Sequence, residues 1–201
     1  MTLLRTERSG PAGRVIVGDL LRVKHSWIVP AAQVCGFCML TALLAQVRIP
    51  LPGTPVPMTL QALAVLLAGY FLPVRRAAAA LGLYLGVGSA GVPVFAPGSL
   101  GLFGPTGGYI VAFVIAAGIV AVLRGSSLSV GRLLVAGAAG TAVILAVGVT
   151  WYAVYTGGSV SVAIAGGLLP FVPKAVVQLG AAVAIVRVVA LYRPRPGTAK
   201  L

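Results

Sequence analysis

Apolar residues fill six long segments of the chain, and short stretches between them hold most of the polar and charged residues. The segments cover positions 27–45, 58–72, 77–89, 106–123, 133–155 and 169–191. A helix that spans a bilayer needs about 20 predominantly apolar residues, and fewer where other helices cover it. The pattern therefore predicts an all-α integral membrane protein with six transmembrane helices.

Composition supports a membrane protein and argues against an enzyme. Hydrophobic residues make up 59% of the chain and charged residues only 8%, whereas a soluble domain carries about 25% charged residues. Glu7, Asp19 and His25 are the only acids and the only histidine, and all three precede the first apolar segment. The apolar body therefore has no residues for a carboxylate pair, a His/Asp/Glu metal site or a Ser–His–Asp triad.

The basic residues indicate how the chain is oriented. All of them except Arg48 and Lys174 lie in the two tails, near the ends of the apolar segments, or in the connections after segments two and four. Short loops rich in lysine and arginine stay in the cytoplasm. The expected domains are a basic cytoplasmic tail at 1–26, a six-helix membrane domain at 27–192 and a short basic cytoplasmic tail at 193–201. Nucleic-acid binding is not expected, because the charges form no single patch.

Two connections on the outward side are rich in glycine and proline. They are RIPLPGTPVPMTLQ at 48–61 and GVGSAGVPVFAPGSLGLFGPTGGY at 86–109. Irregular backbone at membrane depth is tolerated where it is buried in protein or lines a cavity. These stretches predict a pre-shaped outward pocket with Phe95, Phe103 and Tyr109 as apolar walls, and with Thr59 and Gln61 directing polar groups into it. The alternative is a pair of ordinary tight external loops.

Two cations belong to the outer half of this body, Arg48 and Lys174, and no acid lies near either in sequence. Charges in a membrane are costly and usually functional, so an anionic ligand such as a carboxylate is one interpretation. The other, for Lys174, is a lysine that extends to water. Gln178 follows one helical turn later on the same face, and its amide can both donate and accept hydrogen bonds.

The first segment carries a small-x-x-x-small step, Ala32 to Gly36. Such steps let a second helix approach closely. Packing within this chain and docking of a partner protein are both compatible with the step.

Several motifs in order resemble the BioY family, the biotin-binding S components of energy-coupling factor transporters. They are RIPLPGTPVPMTLQALAVLLAG, then GLYLGVGSAGVPVF with Tyr84, then GPTGGY with Thr106 and Tyr109, and the resemblance covers about residues 31–191. It implies a six-helix fold in the plasma membrane with a vitamin pocket near the outer face. It also implies a transmembrane coupling subunit, docked on Ala32 and Gly36, and two cytoplasmic ATPases as partners. No cofactor is expected on this chain.

The last helix departs from the family. Where the family has PFxPGDxxK, whose aspartate and lysine contact the ureido and carboxylate ends of biotin, this chain reads PFVPKAVVQ. Lys174, Ala175 and Gln178 replace the glycine, the aspartate and the lysine. One hypothesis is that Lys174 takes over the anion contact, and the alternative is that the pocket binds a different small anionic metabolite. A scaffold protein and a stand-alone secondary transporter are further alternatives.

Overall fold

The computed structural model describes residues 27–192 of the 201-residue chain. The predicted tails at 1–26 and 193–201 lie outside the described residues. The elements in chain order are α1 (Ile28–Gln46), β1 (Arg48–Ile49), β2 (Met58–Thr59), α2 (Gln61–Phe71), α3 (Val74–Ser89), a 3₁₀ turn (Gly101–Phe103), α4 (Gly107–Arg124), α5 (Val130–Tyr155), α6 (Val160–Ala163), a π-helical turn (Ile164–Leu168) and α7 (Phe171–Tyr192).

Each predicted apolar segment contains one main helix, but the second segment starts differently from the prediction. Met58 and Thr59 do not begin a helix. They pair antiparallel with β1, with Arg48 opposite Thr59 and Ile49 opposite Met58. Proline cannot donate a backbone hydrogen bond and breaks helices, and the stretch between the strands, which holds four prolines, forms a turn at 52–53 and a bend at 55–56 instead of a helix. The all-α prediction is wrong in this one short ladder.

The last helical region is longer than the sequence indicated. α6 and the π-helical turn precede α7, and the amide of Leu169 donates to the carbonyl of Ile164 over 3.0 Å, the spacing of a π-helix. Pro170 and Pro173 follow, and because neither ring nitrogen can donate, the α-helical ladder is interrupted here before α7 continues. The π-helical turn packs against α5 and α7.

Four helical stretches among the described residues are long and apolar enough to cross a membrane: α1, α4, α5 and the run from Val160 to Tyr192. The described chain is therefore that of a multi-pass membrane protein. α2 has only 11 residues, and all but three of them are buried. A helix enclosed by protein does not have to match the thickness of the lipid, so its shortness is tolerated.

α2 is the central element of the bundle. It packs against α1, α3, α4, α5 and α7, while α4 and α5 form the most extensive helix pair. Leu66, Tyr70 and Val120 are almost completely buried where α2 meets α4. α1 differs, because Cys38, Thr41 and Ala45 are its only buried residues. Val34, Phe37, Leu40 and Ala42 are half-buried against the core, and much of the remaining surface is exposed in the described bundle.

Candidate ligand-binding site

A cavity of about 60 Å³ lies between α2, α4, α5 and α7, beneath the segment that leads into β2. Val56, Ile110, Phe113 and Phe171 contribute to its apolar wall. Its polar lining consists of Thr59, Gln61, Ser99, Thr106, Thr141, Lys174 and Gln178, with the ring of Tyr109. A mostly apolar cavity with a few convergent polar groups is the usual form of a small-molecule site.

The backbone carbonyl of Thr59 receives two donors from α7. Gln178 Nε2 donates to it over 2.9 Å and Lys174 Nζ over 3.3 Å. The two side chains converge because residues four apart lie on one face of a helix. These bonds tie β2 to α7 and place both side chains at the cavity wall.

The ammonium group of Lys174 has no carboxylate partner within residues 27–192, because this part of the chain contains no aspartate or glutamate. It lies 5.1 Å from the centroid of the Phe171 ring, a cation–π contact. An ammonium group has three donors, and the carbonyl of Thr59 accepts one. The arrangement can therefore bind an anion that enters the cavity.

A second polar chain runs from β2 to α3. The Thr59 hydroxyl donates to Gln61 Oε1 over 2.8 Å, Gln61 Nε2 donates to the Tyr84 hydroxyl over 2.5 Å, and that hydroxyl donates to the carbonyl of Val94 over 3.2 Å. Tyr84 is fully buried and lies behind the cavity wall. Its contribution to the site is to hold the Gln61 amide in one orientation.

Thr106 and Tyr109, from the GPTGGY motif, line the opposite wall. The Thr106 hydroxyl donates to the carbonyl of Gly101 over 3.4 Å, and the Tyr109 hydroxyl donates to that of Gly167 over 2.5 Å. The second bond joins α4 to the π-helical turn. A Cβ atom at Gly167 would lie 2.9 Å from the Tyr109 hydroxyl oxygen, so this close approach requires glycine.

Three residues predicted for the site lie away from this cavity. The Arg48 guanidinium is exposed and donates to the carbonyl of Pro97. Phe103 is 87% exposed. Phe95 packs edge-on against Tyr84, with ring centroids 5.4 Å apart, and with Phe103 it lines a separate outer cleft. The structure thus brings together Thr59, Gln61, Thr106, Tyr109, Lys174 and Gln178, and not these three.

Several lining residues were missed by sequence reasoning. Phe171 immediately precedes the VPK sequence, and its aromatic ring under Lys174 could have been inferred from their one-turn spacing. Thr141 is a polar residue inside the fifth apolar segment, which is itself a signal. Phe113 and Ile144 carry no such signal, because they are apolar residues among many.

The small-x-x-x-small step lies on the surface of α1. Ala32 and Gly36 are exposed, and a Cβ atom added at Gly36 would meet nothing within 4 Å. The described part of the chain therefore does not pack against this step.

Comparison with known proteins decides the family. The model of the BioY family matches residues 19–195. The chain belongs to the BioY family. This confirms the resemblance inferred from the motifs, and as a BioY family member the chain is a membrane transport subunit and not an enzyme.

Relatives in this family are similar over most of their length. The probable biotin transporter BioY of Pyrococcus horikoshii is 36% identical over 152 residues, which cover 74% of this chain and 88% of that protein. The biotin transporter BioY of Thermotoga maritima is 37% identical over 127 residues, covering 62% and 75%. The biotin transporter BioY2 of Lactococcus lactis is 35% identical over 135 residues, covering 65% and 73%.

The fold is also that of a solved structure. A crystal structure described as the S-component for biotin from an ECF-type ABC transporter superposes with a TM-score of 0.75, covering 83% of this chain and 93% of that one at 22% identity. At this identity the match bears on the fold alone. It confirms the predicted similarity to an S-component.

Proposed function

We propose that this protein captures biotin, or a similar small carboxylate, at the outer face of the plasma membrane as the S component of an energy-coupling factor importer. The observation that carries the proposal is the ammonium group of Lys174 in a mostly apolar cavity, with no acidic residue in residues 27–192 to pair with it. The names of the relatives support biotin as the ligand.

We further propose that the chain crosses the membrane six times with both termini in the cytoplasm. Two hydrogen bonds between basic side chains and backbone carbonyls support this orientation. Arg132 donates to Leu123 over 2.9 Å and Arg187 donates to Leu128 over 3.0 Å. The basic ends of α4, α5 and α7 therefore meet at one end of the bundle. Lys174, which lines the cavity, lies thirteen positions before Arg187 on α7, toward the opposite end of the bundle.

The proposed partners are a transmembrane coupling subunit and two cytoplasmic ATPases. The exposed Ala32 and Gly36 on α1 are the proposed docking surface for the coupling subunit, because small side chains allow close approach of a second helix. No aspartate or glutamate lies within residues 27–192. The carboxylates that proton-coupled transporters commonly use are therefore absent from this part of the chain. This favours ATP hydrolysis on separate subunits.

The second candidate is the same subunit with a different small anionic ligand. Ala175 lines the cavity at the position where the family pattern has aspartate, so a carboxylate acceptor is missing at this point of the wall.

Ligand pockets usually measure about 300–1,000 Å³, and this cavity measures about 60 Å³. Its walls must move apart when any vitamin-sized ligand enters.

The test is equilibrium binding of biotin to the purified chain in nanodiscs, with the Lys174→Ala variant beside the wild type. Losing a charge-assisted bond costs ~1.5–3 kcal/mol, so we expect the affinity to fall about ten-fold or more. Arg187→Ala is the matched control, because it removes one cation from the same helix outside the cavity. It should leave the affinity unchanged.

The outcomes separate the candidates. Unchanged affinity in Lys174→Ala would refute the anion contact. No biotin binding by the wild type would refute biotin as the ligand, and the small carboxylates that co-purify with the chain would then be identified by mass spectrometry.

A further inference from the structure

The hydrogen bond to Thr59 shows which end of the Gln178 carboxamide is the nitrogen and which is the oxygen. The end that faces Thr59 lies 2.9 Å from a backbone carbonyl oxygen. A carbonyl only accepts hydrogen bonds, so this end must be the nitrogen. Oε1 therefore points away from Thr59. The side chain is 97% buried and lines the cavity.

Oε1 of Gln178 is buried, and no donor among residues 27–192 reaches it. Buried polar atoms are nearly always hydrogen-bonded, so an exception calls for an explanation. Four donor groups of the lining are already committed to other acceptors. The hydroxyls of Thr59, Thr106 and Tyr109 and the amide of Gln61 each donate to another acceptor.

We propose that Gln178 Oε1 accepts a hydrogen bond from an N–H group of the ligand, and that it supplies the acceptor that is absent at Ala175. The inference rests on the proposed function, namely that a small carboxylate binds in this cavity. It makes Gln178 a specificity-determining residue. The expected ligand carries an anionic group for Lys174 and an amide- or urea-type N–H for Gln178.

Selectivity follows from this pairing. A site built to hydrogen-bond a polar group rejects an analogue that lacks it, because the buried partner then stays unsatisfied. Biotin and lipoate make a suitable pair of probes, since both end in a five-carbon carboxylate tail and only biotin has urea N–H donors. The wild type should therefore prefer biotin to lipoate.

The experiment measures the affinities of both acids for the wild-type chain and for Gln178→Leu in nanodiscs, with lipoate applied as a competitor of labelled biotin. Biotin affinity should fall roughly five- to ten-fold, the equivalent of one hydrogen bond, while the affinity for lipoate stays within about two-fold. If Gln178→Leu does not fold, Gln178→Met is tested in the same way.

Equal losses for the two acids would show that Gln178 only supports the fold, and would overturn the inference. An unchanged biotin affinity would overturn it as well. If the wild type binds no biotin, the proposed function fails and this inference fails with it, which is a different result from equal losses in a chain that does bind biotin.

Discussion

At the scale of single residues, Thr59 organises the polar half of the cavity. Its hydroxyl donates to Gln61, and its carbonyl accepts from both Lys174 and Gln178. The sequence indicated Thr59 as a polar group directed into a pocket. It could not indicate the role of the carbonyl, because a backbone group carries no signature in the residue type and depends on which helix lies opposite.

Tyr84 provides a test of the polar chain behind the wall. Tyr84→Phe removes the hydroxyl that accepts from Gln61 and donates to Val94. The buried Gln61 amide and the half-buried Val94 carbonyl then each lose a partner, so the free energy of unfolding should fall by about 1–3 kcal/mol. Chemical or thermal unfolding in detergent, followed by tryptophan fluorescence, measures the change.

The control for this prediction is Tyr155→Phe. Tyr155 is 48% exposed, and its hydroxyl makes no hydrogen bond with any described residue. The same chemical change there should leave the stability within about 0.5 kcal/mol, as is usual for surface substitutions. Equal shifts in the two variants would contradict the role assigned to the Tyr84 hydroxyl.

At the scale of elements, helix existence was predictable and helix ends were not. Each of the six apolar segments contains a helix, because length and hydropathy decide this locally. The β1–β2 ladder was missed because pairing Arg48 with Thr59 depends on contacts between separated positions. The π-helical turn was missed for the same kind of reason, since a bond from Tyr109 to Gly167 stabilises it from another helix.

The candidate site was likewise only partly predictable from the sequence. Polar residues in apolar surroundings, such as Gln61 and Lys174, are visible in the sequence and line the cavity. Phe95 and Phe103 share the glycine-rich connection that suggested a pocket, but they face the outer cleft instead. The direction of a side chain in an irregular loop depends on the loop's backbone, which composition does not specify.

The α4–α5 pair makes an element-scale prediction. A Cβ atom at Gly108 would overlap the side chain of Trp151 and lie 2.9 Å from the carbonyl oxygen of Val147. Gly108→Ala should therefore push the two helices apart and destabilise the chain by about 1–3 kcal/mol, as overpacking does. Melting of the purified variant in nanodiscs measures this.

Gly118→Ala is the matched control on the same helix. A Cβ atom there would meet nothing within 4 Å, and alanine favours a helix over glycine by up to about 1 kcal/mol. Its melting temperature should be equal to or above that of the wild type. If Gly108→Ala melted no lower than Gly118→Ala, the close contact between α4 and α5 would not be what requires glycine.

At the scale of the whole molecule, the candidate ligand cavity and the proposed docking surface lie on different elements. The cavity is lined by α2, α4, α5, α7 and the irregular segments near them, and no residue of α1 contributes to it. α1 instead presents Ala32, Gly36 and Met39 on its outer face. The two functions should therefore be separable by mutation.

Gly36→Leu tests this separation. The added side chain would project from the open surface of α1, so the biotin affinity of the isolated chain should stay within about two-fold, as expected for distant, independent sites.

The same side chain would block close approach of a second helix, so co-purification with the coupling subunit and biotin uptake by cells should both be lost. Gly118→Leu, at a position of α4 where an added Cβ would also meet nothing within 4 Å, should retain both. If Gly36→Leu also retained them, α1 would not be the docking helix. If it instead lost biotin binding in the isolated chain, the two surfaces would be coupled.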